Sequence, residues 1–223
     1  MATKFGIKSP TFLTPIEQFQ GFLKYNEWLK GNVQEFVISN YERDAQWAKM
    51  LTVPADALLF YCHNGDVVKT AELAWEYTCS YRDKIWKSDY VRFENGYMKP
   101  ADNEPLRPSG FYIRKRPVED KNAIGRKFQN TRVVDVRKQL GNDYGMGCEG
   151  IQFVGITHKH YPELINGNEF PFINLPGLAI SPSADGRFHY ASSLGFRDGK
   201  LVLDDAPVGY PHSYGGSGSL QQY

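Results

Sequence analysis

The sequence predicts an α+β fold: an N-terminal helical region followed by a mostly antiparallel β-rich region. Three observations point there. Up to about residue 89, apolar residues recur at helical spacing between recognisable caps. Beyond it they come in short runs broken by Gly, Pro, Asn and Asp. The two kinds of segment are segregated along the chain and do not alternate as βαβ units would. The division is a helical region or subdomain over 1–89, a β-rich region over 90–210 and a flexible tail over 211–223, the first two able to close into one compact domain.

The first helix starts at Thr14-Pro15-Ile16-Glu17. Thr14 caps it, Pro15 occupies the first turn where no amide is needed, and Glu17 closes a capping box. Phe19, Phe22, Leu23 and Trp28 give its apolar face, and Gly31 ends it. Asn32 caps a second segment with Val33, Phe36 and Val37 inward, and Ser39-Asn40 breaks it before Tyr41 to Met50. Pro54 opens a third short helix, closed by His63-Asn64-Gly65, where a helix C-terminus would favour protonated His63. Asp66 caps a fourth helix reaching about Lys87, with Ala74, Tyr77, Thr78, Tyr81 and Ile85 inward.

The pattern changes near Asp89. Asn95-Gly96 signals a hairpin over Tyr90 to Met98, because both residues tolerate positive φ. Lys99 to Gly110 is a Pro-rich loop. Strands are expected at Phe111–Ile113, Thr131–Arg137, Ile151–Thr157, Leu178–Ile180, Arg187–Tyr190 and Leu194–Phe196. Asp198-Gly199 then turns the chain into Leu201–Leu203. Gly167 to Gly177 reads as a shaped loop, and the tail SYGGSGSLQQY as mobile unless a partner holds it.

Composition narrows the class. With 223 residues, 41% hydrophobic and 14% aromatic, the chain can bury a real core. Its longest apolar run, Ala57 to Cys62, is far short of the roughly 20 residues a helical membrane span needs, so no membrane partner is expected. The N-terminus lacks the apolar stretch of a conventional secretion signal. Three cysteines, an odd number without CxxC spacing, suit reduced thiols in the cytoplasm or another reducing intracellular compartment, with Cys62 and Cys79 as small buried thiols. No GxGxxG, GxxxxGK[ST] or GxSxG occurs, which removes the usual dinucleotide, P-loop and hydrolase-elbow signals.

Three constellations carry chemistry. The first is basic: ten Lys and Arg against three acidic residues between Arg107 and Lys138, in a chain with 26 basic and 25 acidic residues altogether. Arg107, Arg114, Arg116, Arg126, Lys127, Arg132 and Arg137, with Lys115, Lys121 and Lys138, offer forked donors and point charges to phosphates, and Phe111, Tyr112 and Phe128 offer rings for stacking. The expected partner is a nucleic acid, another polyanion or an acidic protein surface. The plainer alternative is a solvated edge with internal ion pairs, since a strand would split Arg114 and Arg116 from Lys115. The second is the glycine-rich turn GNDYGMGCEG at 141–150, where amides could cradle an anion and Cys148 could act as a nucleophile beside His158 or His160, with Asp143 or Glu149 orienting the imidazole. The structural alternative is a turn with an incidental cysteine. The third is His158-Lys159-His160: extended, it would place both imidazoles on one face, with Glu163 or His189 completing a site for a divalent metal. Ordinary hydrogen-bonded histidines are the alternative there.

The leading functional expectation is a non-catalytic binding or assembly protein using the basic β-rich surface for an anionic or protein partner, with homo-oligomerisation open. The enzymatic alternatives are a Cys-His thiol hydrolase or transferase centred on Cys148, and a metal-dependent enzyme using His158 and His160.

Overall fold

Regular structure begins at the predicted capping box. In the computed structural model, which describes residues 12–49, 53–102, 107–120, 124–141, 143–161, 164, 172–211 and 215–222, helix α1 runs Pro15–Asn32. Thr14 Oγ1 accepts the Glu17 amide at 3.4 Å, and Glu17 Oε2 accepts the Thr14 amide at 2.7 Å. Phe19, Phe22, Tyr25 and Leu29 are buried on its inner face, whereas Leu23 faces outward. A 3-10 turn at Gln34–Phe36 leads to α2 (Tyr41–Lys49).

Pro54 does not open a helix. Ala57–Cys62 is strand β1, buried along its whole length. A strand covered on both faces is apolar without alternation, and so short a run has no period to separate it from a buried helix. Asn64 and Gly65, both at positive φ, turn the chain toward α3 (Val67–Tyr81), which Asp66 caps by accepting the Lys69 amide at 2.8 Å. His63 therefore ends a strand and not a helix. It is buried, and burial followed by the charge of Lys69 pushes its pKa down to about 4, away from the protonated form expected of it. Helix α3 stops short of Lys87 because Ile85–Lys87 forms β2, parallel to Leu201–Leu203.

Asn95-Gly96 lies in a turn, but its flanks do not make a hairpin: β3 (Met98–Pro100) pairs with Leu178–Ile180. Strand β4 (Gly110–Lys115) forms around the predicted Phe111–Ile113 and lies antiparallel to β1. Two predicted strands are helical. Helix α4 (Val133–Gln139) replaces Thr131–Arg137, and its Val133 and Val136, with Leu140 beyond, follow the i, i+3, i+7 spacing of a helix. After β5 (Tyr144–Gly145), the segment Ile151–Thr157 completes α5 (Cys148–Gln152) and forms a π-helical turn, Phe153–Thr157, closed by the His158 amide on the Phe153 carbonyl at 2.7 Å. Every residue from 151 to 158 is buried, the polar Gln152, Thr157 and His158 among them, so a largely apolar stretch with β-branched residues serves an enclosed helical segment as well as a strand.

Strands β6 (Phe172–Ile180), β7 (Tyr190–Arg197) and β8 (Lys200–Pro207) make an antiparallel meander. The predicted loop Gly167–Gly177 is thus strand from Phe172 onward. Its Pro176-Gly177 falls where the β6–β7 register shifts between Leu175 and Ala179, the usual setting for such residues inside a sheet. Arg187 to His189 precede β7, and the Asp198-Gly199 turn stands as predicted, both residues at positive φ.

The tail is not free. Strand β9 (Gly215–Ser217) lies parallel to β6, and β10 (Ser219–Gln222) lies between β4 and β5. The result is a four-stranded sheet ordered β1-β4-β10-β5 and a six-stranded one ordered β2-β8-β7-β6-β3, with β9 also on β6. One hydrophobic cluster draws residues from Phe19 in α1 through β1, α3, α5 and the meander to Leu220 in β10. Phe128, Val136 and Leu140 form a smaller one under α4. Among the described residues no helix is long and apolar enough to cross a membrane.

Candidate binding site on the open sheet face

The basic segment does not gather on one exposed face. Arg107 and Arg114 are buried, at 3% and 1% exposure. Arg107 forms an ion pair with the equally buried Glu149, whose other carboxylate oxygen accepts the Gly147 amide at 2.8 Å. Both guanidinium groups lie against the rings of Phe60 and Tyr144, Arg114 at 3.9 Å from the Tyr144 centroid. Arg116 lies over Phe12 at 4.0 Å, and Lys127 over Phe128 at 5.1 Å. Arg132 pairs with Asp135, and Arg137 donates to the carbonyls of Pro176 and Leu178, where β6 leaves its regular register. Arg126 is half-buried in the 3-10 turn Arg126–Phe128, Lys115 and Lys138 are exposed, and Lys121 lies outside the described residues. The excess of positive charge is largely spent on internal contacts.

The thiol and metal constellations also come apart. Cys148 is fully buried at the start of α5. His158 is fully buried too, but its Nε2 accepts the Leu13 amide at 2.9 Å and its Nδ1 lies 2.9 Å from Thr157 Oγ1, so both ring nitrogens are engaged elsewhere. Burial, then the charge of Arg116, pushes its pKa down to about 3. His160 is exposed in the turn beyond, so the two imidazoles do not share a strand face. His189 is exposed before β7, Asp143 is half-buried before β5, and Glu163 lies outside the described residues. Among the described residues no three His, Cys, Asp or Glu side chains come together as metal ligands. Cys62 is buried, its pKa raised chiefly by that burial, whereas Cys79, expected inside, is exposed; none of the three cysteines is in a disulfide.

A different set of residues converges on the meander. Alternation along β6, β7 and β8 sends Ile173, Leu175, Leu194, Leu201 and Leu203 into the core. Their neighbours occupy the opposite face, and cross-strand register arranges them in rows. Arg197 stands opposite Lys200. Next comes an apolar row: Trp86, Val202, Gly195, Phe172 and Gly215. A polar row follows: Asp204, Ser193, Asn174 and Ser217.

A cleft of about 180 Å³ opens on this face, lined by Phe172, Ser193, Gly195, Arg197, Val202 and Asp204, with Asp205, Ala206 and Pro207 at one side. Gly195 leaves room in its floor, between the larger Val202 and Phe172. Asp204 is half-buried and accepts the Asp205 amide at 2.9 Å. Burial raises its pKa, and the neighbouring Asp205 charge adds to this, against the opposing pull of that hydrogen bond and of Arg197. Arg197 and Asp204 line the same cleft with opposite charges, and among the ion pairs of the described residues there is none between them, although the Arg197 charge is felt at Asp204. Farther along the polar row, Asn174 Oδ1 and Ser217 Oγ are buried without a hydrogen-bond partner. A larger cleft of about 600 Å³ lies between α2 and β4, but its Arg43 and Asp44 already bridge each other at 3.0 Å.

The dense charge at 107–138 and the histidine spacing at 158–160 both point away from this face. Its signal was present in Lys200-Leu201-Val202-Leu203-Asp204: behind a confident Asp-Gly turn, the alternation puts Lys200, Val202 and Asp204 on one side and two leucines on the other. Comparison with protein-family models, characterised proteins and solved structures finds no match for the chain.

Proposed function

We propose that this is a non-catalytic binding protein whose site is the cleft on the open face of the β6–β7–β8 meander. The observation that carries the reading is that Arg197 and Asp204 line one cleft: opposite charges, unbridged, with the apolar row between them. Asp204 is half-buried with one backbone hydrogen bond and, among the described residues, no cation bridged to it, and with the exposed Arg197 on the same concave surface the cleft suits an occupant that meets both.

The basic segment supports an anionic macromolecule less well, because Arg107, Arg114, Arg132 and Arg137 are already engaged within the protein. A catalytic reading would need a nucleophile beside a base, and the buried Cys148 and the doubly engaged His158 do not support one.

The reading is tested by amide chemical-shift mapping of the labelled protein with a library of small organic fragments and, separately, with a short single-stranded oligonucleotide. Fragment-induced shifts centred on Phe172, Ser193, Gly195 and Val202, lost in Gly195→Leu, are the expected result. Shifts confined to Lys115, Lys127 and Lys138 with the oligonucleotide, and none in the cleft with any fragment, would return the site to the basic segment.

A further inference from the structure

We infer that the occupant of this cleft is a small amphoteric molecule: an apolar middle carrying an ammonium or similar donor at one end and a carboxylate at the other. The inference rests on the cleft being the binding site. Its support is the order of the rows. The basic row of Arg197 and Lys200 lies at one end, the apolar row of Trp86, Val202, Gly195 and Phe172 in the middle, and the polar row headed by Asp204 and Ser193 at the other.

Arg197 and Ser193 are on the same strand face, two alternations apart, roughly 13 Å along the backbone at a strand's usual rise. Arg197 is exposed, with a long stem that can swing over the apolar floor, whereas Ser193 is buried at 4% exposure. A ligand carboxylate would thus meet a forked donor at the wet end. A ligand ammonium would meet Asp204 at the drier end, with the Ser193 hydroxyl opposite it as a further acceptor. Burial makes the Asp204 charge costly in the empty cleft, and a cation beside it offsets that cost. The volume of about 180 Å³ suits a molecule with a short chain and excludes a large one. Asp204 and Asp205 alone would be an acidic pair without direction; the opposing Arg197 and the apolar row between give the cleft a polarity that a singly charged ligand satisfies only in half.

A charge series on one carbon skeleton tests this: 6-aminohexanoate, hexylamine, hexanoate and hexan-1-ol, titrated by calorimetry and by shift mapping into wild type, Asp204→Asn and Arg197→Gln. The wild type is expected to bind 6-aminohexanoate about tenfold tighter than either singly charged compound. Asp204→Asn should erase the advantage over hexanoate, and Arg197→Gln the advantage over hexylamine. Hexan-1-ol binding as well as the aminohexanoate would overturn the inference while leaving the cleft a binding site, as would a cleft that takes other fragments and none of this series. A cleft that takes no compound of any kind overturns both readings. The comparison within wild type needs no variant to fold.

Discussion

The amide of Leu13 donates to Nε2 of His158 at 2.9 Å, tying the residue before the capping box of α1 to the end of the π-helical turn. Thr157 Oγ1 lies 2.9 Å from the other ring nitrogen, and Phe153 stacks on the ring at 4.0 Å. An imidazole nitrogen that accepts an amide proton carries no proton of its own, so this contact holds only with the ring neutral.

Acid should therefore weaken the fold before most carboxylates titrate. The folded-state pKa of His158 is down to about 3 and that of His63 to about 4, both below the ordinary 6.5. The unfolded chain takes up protons first. The contribution of both rings is fully present above about pH 6.5 and is lost as the pH falls toward those lower values. Urea midpoints are expected to drop steadily between about pH 7 and pH 4, with a shallower drop in His158→Gln and in His63→Gln. An unaltered slope in both variants would assign the acid sensitivity elsewhere.

The buried pair of Arg107 and Glu149 makes a second prediction. Removing the carboxylate, as in Glu149→Ala, strands charge in the interior and should cost about 3–5 kcal/mol. Arg107→Met with Glu149→Met removes both charges and should recover much of that loss. A denaturation cycle over the four proteins measures it; single losses that simply add in the double variant would show the two residues to be uncoupled.

The third prediction concerns the glycines of the tail. A Cβ on Gly216 would stand 2.1 Å from the carbonyl oxygen of Gly125, a contact with backbone. On Gly218 it would stand 2.7 Å from both Cβ and Sδ of Met146, a smaller overlap of which only the sulfur can turn aside. Gly216→Ala is expected to lose about 1–3 kcal/mol, and Gly218→Ala less. Thermal melts rank them, and a Gly216→Ala protein as stable as wild type would contradict the placement of β9.

Much of the architecture was legible where local chemistry acts alone. The capping box at Thr14, the Asp66 cap and the Asp198-Gly199 turn are each set by a few neighbouring residues, and each formed as read. The errors fall where the surroundings decide. Ala57–Cys62 is apolar throughout and Ile151–Thr157 nearly so, Gln152 and Thr157 apart, and both are buried on every side, so period is uninformative and burial allows either a strand or a helix. Gly215 and Gly216 look like linker composition, but their missing side chains are what lets β9 approach Phe172 and Gly125. Charge density misled in the same way: Arg107 and Arg114 are adjacent in composition to an exposed patch, while Phe60, Tyr144 and Glu149, distant in sequence, draw them inside. Arg197, Ser193 and Asp204 share one face only once β7 and β8 are in register.

Residues 215–222 give one strand to each sheet, β9 beside β6 and β10 between β4 and β5. During synthesis neither sheet can be completed until this stretch has cleared the ribosome. Until then the nascent chain carries open edges on β4, β5 and β6, templates for pairing with any neighbouring polypeptide. Closure of both sheets therefore waits on a stretch made after every strand it joins.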